Sequence, residues 1–199
     1  MNRIIAICLF GLLLMAGSAA GAASDRQADW IRCMTDGGAP RVIVRACASA
    51  LRTRPLRRFH RSLLRTRHGE ALAMLGRRTQ AIRDFDRALA DTPGDETILA
   101  DRAGVYEDRG LLVAADRDFT AAIASHVAIP ANRTNGSSDI LADYYAQRGR
   151  IRLRRGYVAS AARDFARALA IDPAGATPQL RVLYARTLAK IASRSHTAR

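Results

Sequence analysis

The sequence predicts an all-α chain, a short solenoid of antiparallel helical hairpins. Three observations predict it. The triplet Arg-Asp-Phe occurs three times, as Arg83-Asp84-Phe85, Arg117-Asp118-Phe119 and Arg163-Asp164-Phe165. Each copy carries further residues in phase: Gly nine positions before the Phe (Gly76, Gly110, Gly156), Ala four before it (Ala81, Ala115, Ala161) and Ala three after it (Ala88, Ala122, Ala168). The composition, rich in Ala, Leu, Ile and Arg with 6% aromatic residues, favours helix by propensity and is too apolar for a disordered chain.

The phase has a physical reason. Ala at i, Phe at i+4 and Ala at i+7 share one helical face. The small alanines admit a neighbouring helix and the Phe fills the space between hairpins. Gly sits where one helix ends and the chain turns back, because it tolerates the left-handed cap. Pro93 and Pro173 stop the second helix of the first and third copies.

The segments follow in order. Residues 1–23 read as an export signal: Arg3, an apolar run over Ile4–Ala16, then the small residues Gly17–Ala23. The run is shorter than the ~20 residues of a spanning helix, so cleavage and a periplasmic or secreted product are expected; an uncleaved segment would anchor the chain in a membrane. Residues 24–61 read as a degenerate hairpin followed by a basic linker. Trp30–Cys33 and Ala46–Leu51 are its two helices, with Cys47 in the place that Phe85 takes later. Cys33 and Cys47 are an even pair in a chain read as exported, which suggests a disulfide. Its loop of about 15 residues would contribute roughly 3 kcal/mol in the chain-entropy model. The alternative is two small buried thiols. A metal site is not expected, because no other Cys or His stands at ligand spacing. The three copies occupy 62–95, 96–128 and 142–175. Between the second and third lies an insertion, 129–141, rich in Pro, Asn, Gly and Ser. A closing helix, 176–192, presents Leu180, Leu183, Tyr184 and Leu188 on one face, and 193–199 is read as a flexible tail.

These in-phase residues resemble the tetratricopeptide repeat over about 130 residues. The resemblance implies a right-handed solenoid. The pair Cys33 and Cys47 ahead of the repeats is similar to that of exported bacterial proteins of this kind, in which a disulfide staples the terminal hairpin. The first helices depart from the family pattern. Where it prefers Trp, Leu-Gly and Tyr, the copies hold Arg65, His68-Gly69 and Leu72; Leu99, Arg102-Ala103 and Tyr106; Tyr145, Arg148-Gly149 and Arg152.

The resemblance also implies a concave groove lined by the first helix of each hairpin. Its positions here are Thr66, Glu70, Ala73 and Met74; Ala100, Gly104, Glu107 and Asp108; Ala146, Arg150, Leu153 and Arg154. Thr66, Glu70, Met74, Glu107, Asp108, Arg150 and Arg154 are the candidate peptide contacts. Members that clamp a C-terminal carboxylate use a Lys and Asn set; the matching places hold Thr66, Glu70 and Asp101, so that activity is not expected.

Net charge is +14, and Lys190 is the only lysine. The charge order is basic, acidic, basic: nine Arg and no acid over 41–67, ten acids and five Arg over 83–118, seven Arg and one acid over 148–167. Acids in the middle and arginines at one end suit an extended protein or peptide segment held by charge register. The expected function is an exported adaptor or scaffold. The alternative is a binder of anionic membrane or envelope polymer through Arg52–Arg67, which carries seven Arg in 16 residues. Nucleic acid is not an expected partner of an exported chain. No cofactor, catalytic set or metal site is expected: the four His are scattered, and no nucleophile elbow, zinc-protease motif or phosphate loop occurs.

Overall fold

A computed structural model describes residues 27–35, 38–52, 56–128 and 138–197. The expected export signal, 1–23, falls outside the described residues, as do 129–137 of the insertion and 198–199 of the tail. Every regular element described is a helix. These are α1 (27–34), α2 (Pro40–Arg52), α3 (Arg58–Met74), α4 (Arg78–Asp91), α5 (Glu96–Asp108), α6 (Leu112–Ala128), α7 (Ser138–Arg154), α8 (Val158–Ile171) and α9 (Pro178–Thr197).

Three limits differ from the sequence reading. Helix α3 starts at Arg58, four residues ahead of the expected first repeat. Helix α7 starts at Ser138 within the expected insertion, and Asp139 in its first turn suits the positive end of the helix dipole. Helix α9 runs to Thr197, through most of the expected tail.

The helices pack in chain order. Helices α3 and α4, α5 and α6, and α7 and α8 form the three repeat hairpins; α2 packs on α3 ahead of them and α9 on α8 behind. The core is a row of apolar clusters. One joins α1, α2 and α3 around Cys33, Cys47 and Leu64; the next joins α3, α4 and α5 around Phe85; the third spans α5 to α8 around Phe119 and Ile151. Cys33 and Cys47 are fully buried and joined by a disulfide, with Cα atoms 4.9 Å apart. The bond ties α1 to α2 in the terminal unit, which has a neighbouring unit on one side only.

The repeat residues do the packing their phase required. Ala81, Ala115, Ala161, Ala88 and Ala122 are 0% exposed, and Phe85 and Phe165 are as deeply buried. Gly76, Gly110 and Gly156 have φ of 73°, 72° and 84°. At the first of these turns the Arg77 N–H donates to Leu72 O (2.9 Å) and the Gly76 N–H to Ala73 O (2.8 Å). These bonds close the helix end in a left-handed cap that only Gly adopts without strain.

The first-helix residues that depart from the family pattern are explained by a second phase of sixteen residues. His68, Arg102 and Arg148 each stand sixteen before the Asp of a repeat triplet, and each bonds it. His68 Nδ1 meets Asp84 Oδ2 at 2.6 Å. Arg102 donates to both oxygens of Asp118 at 2.7 and 3.1 Å, and Arg148 to both oxygens of Asp164 at 3.0 and 2.8 Å. The next residue in each first helix faces the Phe. A Cβ on Gly149 would lie 2.5 Å from the Phe165 ring, and one on Gly69 3.0 Å from Phe85. Each hairpin is thus closed by a nitrogen side chain, His or Arg, on the carboxylate and a small residue beside it on the first helix.

The third clasp is the most enclosed. Arg148 is 6% exposed and Asp164 2%. Arg148 also donates to Thr120 Oγ1 (3.2 Å) and lies 5.3 Å from the Tyr145 ring centre, while Arg152 adds a second cation to Asp164 at 2.9 Å. Asp164→Ala, which strands Arg148, is expected to cost about 3–5 kcal/mol. Arg148→Met combined with Asp164→Leu is expected to regain most of that loss, read by urea denaturation of the oxidised protein. A double variant as unstable as the single one would show that shape, not charge compensation, holds the clasp.

Candidate functional site

The first helices α3, α5 and α7 leave a face uncovered, and between α5 and α7 it deepens into a cleft of about 440 Å³. Thr97, Ala100, Asp101, Gly104 and Asp108 line it from α5, with Asp143, Tyr144 and Gln147 from α7. Positions 97, 101, 104 and 108 share one side of α5 because they recur at three- and four-residue steps. Helix α5 is set by the Asp95 side chain, which accepts from the Thr97 and Ile98 N–H groups (3.1 and 3.3 Å). Asp95 thereby caps two donors that the helix itself cannot satisfy.

The expected peptide contacts divide. Met74 is 69% exposed, and Arg150 is exposed, donating to Gln147. Asp108 is largely open and holds Arg78 by one long bond of 3.4 Å. Glu70 holds Arg67 at 2.9 Å. Thr66 is a correction: it is buried, its hydroxyl donating to Ser62 O (3.0 Å), so it packs the helix instead of facing a ligand. Glu107 and Arg154 bond each other at 2.7 Å. Their charges cancel, so the pair adds little to the charge register expected of it.

The same compensation absorbs much of the basic, acidic, basic order. Arg61 and Arg65 both bond Asp91, Arg152 and Arg155 both bond Asp116, and Arg102 bridges Asp86 and Asp118. Arg67 donates to Cys33 O and Thr35 O as well as to Glu70. Of the described arginines of Arg52–Arg67, Arg61, Arg65 and Arg67 are turned onto the protein.

The cleft contains what the sequence did not single out. Asp101 is the reverse of its neighbours: its Oδ2 atom is buried and has no hydrogen-bond partner. Burial, with Glu70 of α3 and Asp95 adding repulsion, pushes its carboxyl up to about 7. Beside it, burial and then the Glu96 charge push the Tyr144 phenol up to about 12. Glu96 Oε1 lies 3.0 Å from His126 Nδ1, and Glu96 Oε2 is also buried without a partner. The Glu96–His126 clasp stands 34 residues after Ser62–Thr92, whose hydroxyls are 2.6 Å apart, so the same repeat position closes the far end of both hairpins. Among the described residues no three His, Cys, Asp or Glu side chains are placed to hold a metal ion, and no helix is long and apolar enough to cross a membrane.

No family model and no curated protein matches the chain. Solved structures do. The MamA RS-1 ArsTM double mutant aligns with 87% of this chain and 86% of its own, at TM-score 0.67 and 16% identity. The first TPR domain of Spaghetti (RPAP3), bound to the HSP90 peptide SRMEEVD, aligns with 67% of this chain and 95% of its own, at TM-score 0.56 and 17% identity. The Sgt2 TPR domain from Aspergillus fumigatus aligns with 69% of this chain and 83% of its own, at TM-score 0.56 and 18% identity. The fold is the tetratricopeptide solenoid.

The Asp101 carboxyl sets a pH dependence. Its value in the folded chain lies above that of an unfolded Asp near pH 4. The folded chain therefore binds more protons between about pH 4 and 7, and its stability falls as pH rises through that window. Asp101→Asn stays neutral throughout, facing the same Glu70, Asp95, Glu96, Asp143 and Tyr144. It is expected to exceed the parent in stability by on the order of a few kcal/mol near pH 8 and to match it near pH 4. Thermal melts at the two pH values read this, and an unchanged difference between them would show that Asp101 titrates as a solvated acid.

Proposed function

We propose that this protein is an exported scaffold that binds an extended segment of another protein along the groove of α3, α5 and α7. The observation that carries the reading is the open cleft between α5 and α7, lined by Ala100, Gly104, Asp108 and Gln147, on the face where the solenoid leaves its first helices uncovered. An extended peptide suits such a face because it lays side chains against several parallel helices at once. Two structures of like fold are peptide complexes: the RPAP3 domain with SRMEEVD, and the second TPR domain of human RPAP3 with the HSP70 peptide SGPTIEEVD, the latter at 21% identity. Their peptides are acidic, whereas the cleft here carries Asp101, Asp108 and Asp143. The partner is therefore of another kind.

Export is supported by the buried Cys33–Cys47 disulfide, since such bonds persist in oxidising compartments, and by the apolar and small residues of 1–23.

Two measurements test the reading. A photo-crosslinking residue at Asp108 or Arg150 is expected to capture a partner in the native cell, and one at Arg87 on α4, whose side chain is 65% exposed, is not. Asp108→Ala with Arg150→Ala is expected to weaken the captured partner's binding at least tenfold, a loss of about 1.4 kcal/mol or more. Capture from Arg87 alone would move the binding face away from the groove. For export, the mass of the protein recovered from its host is expected to begin after Ala22 or Ala23; a full-length cytosolic product would remove that part of the proposal.

A further inference from the structure

Every carboxylate of α4, α6 and α8 holds an arginine or a histidine, and so do Glu96, Glu107 and Asp108 of α5. Asp101 holds none, in a chain with 32 Lys and Arg against 18 Asp and Glu. A shortage of cations therefore does not explain the exception. A buried carboxylate oxygen without a partner loses its hydration and gains nothing for it.

The repeat itself does not call for a carboxylate at this place. The positions equivalent to Asp101, 34 residues earlier and 46 later, hold Arg67 and Gln147. Gly104 is the second departure. Its equivalents are Glu70 and Arg150, so the architecture accommodates long side chains there. Gly in a helix interior is unfavourable relative to Ala, and a Cβ on Gly104 would meet nothing within 4 Å. Packing thus explains neither residue. Both stand on the open side of α5, three residues apart, and both line the cleft. Across it on α7, Asp143 is exposed and accepts only one long bond of 3.4 Å, from Gln147.

We propose that the segment bound in this groove carries an arginine or lysine side chain that enters the cleft over Gly104 and places its cationic head against Asp101 and Asp143. The proposal rests on the groove being the peptide-binding face. Gly104 supplies the clearance for the long aliphatic stem, Tyr144 a wall beside it, and Asp101 the buried acceptor that the fold leaves unpaired. Binding would supply the counter-charge that the carboxylates of α4, α6 and α8 already have. The groove is locally acidic although the protein as a whole is strongly basic, so a basic segment is drawn to this face and repelled from the arginine-rich rest of the surface.

The test uses the oxidised protein and labelled ten-residue peptides of one Gly-Ser-Ala background, bearing two Arg, two Lys, two Gln or two Glu, followed by fluorescence anisotropy at neutral pH. The Arg and Lys peptides are expected to bind at least tenfold more tightly than the Gln peptide, and the Glu peptide more weakly still. Asp101→Asn is expected to bring the Arg and Lys peptides to the level of the Gln peptide and leave the Gln peptide unchanged. Asp29→Asn, which removes an acid on α1, serves as the control for general charge and is expected to change nothing. Gly104→Leu is expected to keep or raise the melting temperature and to abolish the cationic preference. If the cationic peptides bind but Asp101→Asn and Gly104→Leu leave them untouched, the cleft is not their seat and the proposal falls. If peptides bind without regard to charge and Asp108→Ala with Arg150→Ala weakens them all, the groove reading stands and the cationic pocket is refuted. If no cationic peptide binds, the cationic pocket is refuted, and crosslinking from Asp108, Arg150 and Arg87 decides the groove reading separately.

Discussion

The fold depends on a clasp between the two helices of each hairpin. A His or Arg on the first helix bonds the Asp of the Arg-Asp-Phe triplet on the second, and a small residue next to it admits the Phe ring. Neither half works alone. The Phe needs close helix approach to be buried, and close approach buries the adjacent Asp. A buried carboxylate is tolerable only with a well-placed partner, so the position sixteen residues earlier must carry a donor. The clasps are graded. His68 offers Asp84 a single ring nitrogen, Arg102 gives Asp118 two bonds, and Arg148 gives Asp164 two in a nearly closed site with Thr120 and Tyr145 around it. The pairing helps fix which residues of the two helices meet, which apolar contacts alone specify less sharply.

Between hairpins the same chemistry continues with longer reach. Arg102 of the second repeat reaches back to Asp86 of the first, and Asp116 takes Arg152 and Arg155 from the third repeat. Many of these ions are partly exposed, where single pairs contribute little; arrayed in networks they align neighbouring units and exclude slipped stackings. The basic, acidic, basic order of the chain is largely internal complementarity. Its outer blocks fold back on its middle. The N-terminal unit has a neighbour on one side only, and there the Cys33–Cys47 bond adds stability by restricting the unfolded chain.

Much of this was legible in the sequence. The triplets, the glycines nine residues ahead and the flanking alanines specify the hairpins because helix periodicity is local. Cys33 and Cys47 were legible as a pair by their even count in a sequence whose first segment suggests export. The clasps were visible in principle: a His or Arg stands sixteen residues before each triplet Asp. In sequence they look like departures from a packing motif, because such a spacing carries no sign of burial and only the fold shows that both partners face inward. Thr66 failed as a groove residue for the same reason. Helical phase places it near the open face, but whether a position on the edge of a stripe is covered depends on the angle at which the next helix crosses. Glu107 and Arg154, 47 residues apart, lie beyond any local rule, and their mutual bond removed two charges from the expected register.

Asp101 is informative because it breaks the rule the rest of the molecule obeys. The fold is built so that a buried carboxylate always has a donor sixteen or some thirty residues away, and arginines are abundant enough to provide one. At position 101 the repeat offers Arg and Gln in the sister copies, and at position 104 it offers Glu and Arg; the middle hairpin has instead an acid and a gap. Selection for stability alone fills a gap and neutralises a buried charge. A carboxylate left unpaired beside an unfilled space is destabilising unless something else fills the space and pairs the charge. On the proposed reading, this break in the molecule's own regularity marks the middle of the groove as the place where stability gives way to binding, and a cation is the group that matches it.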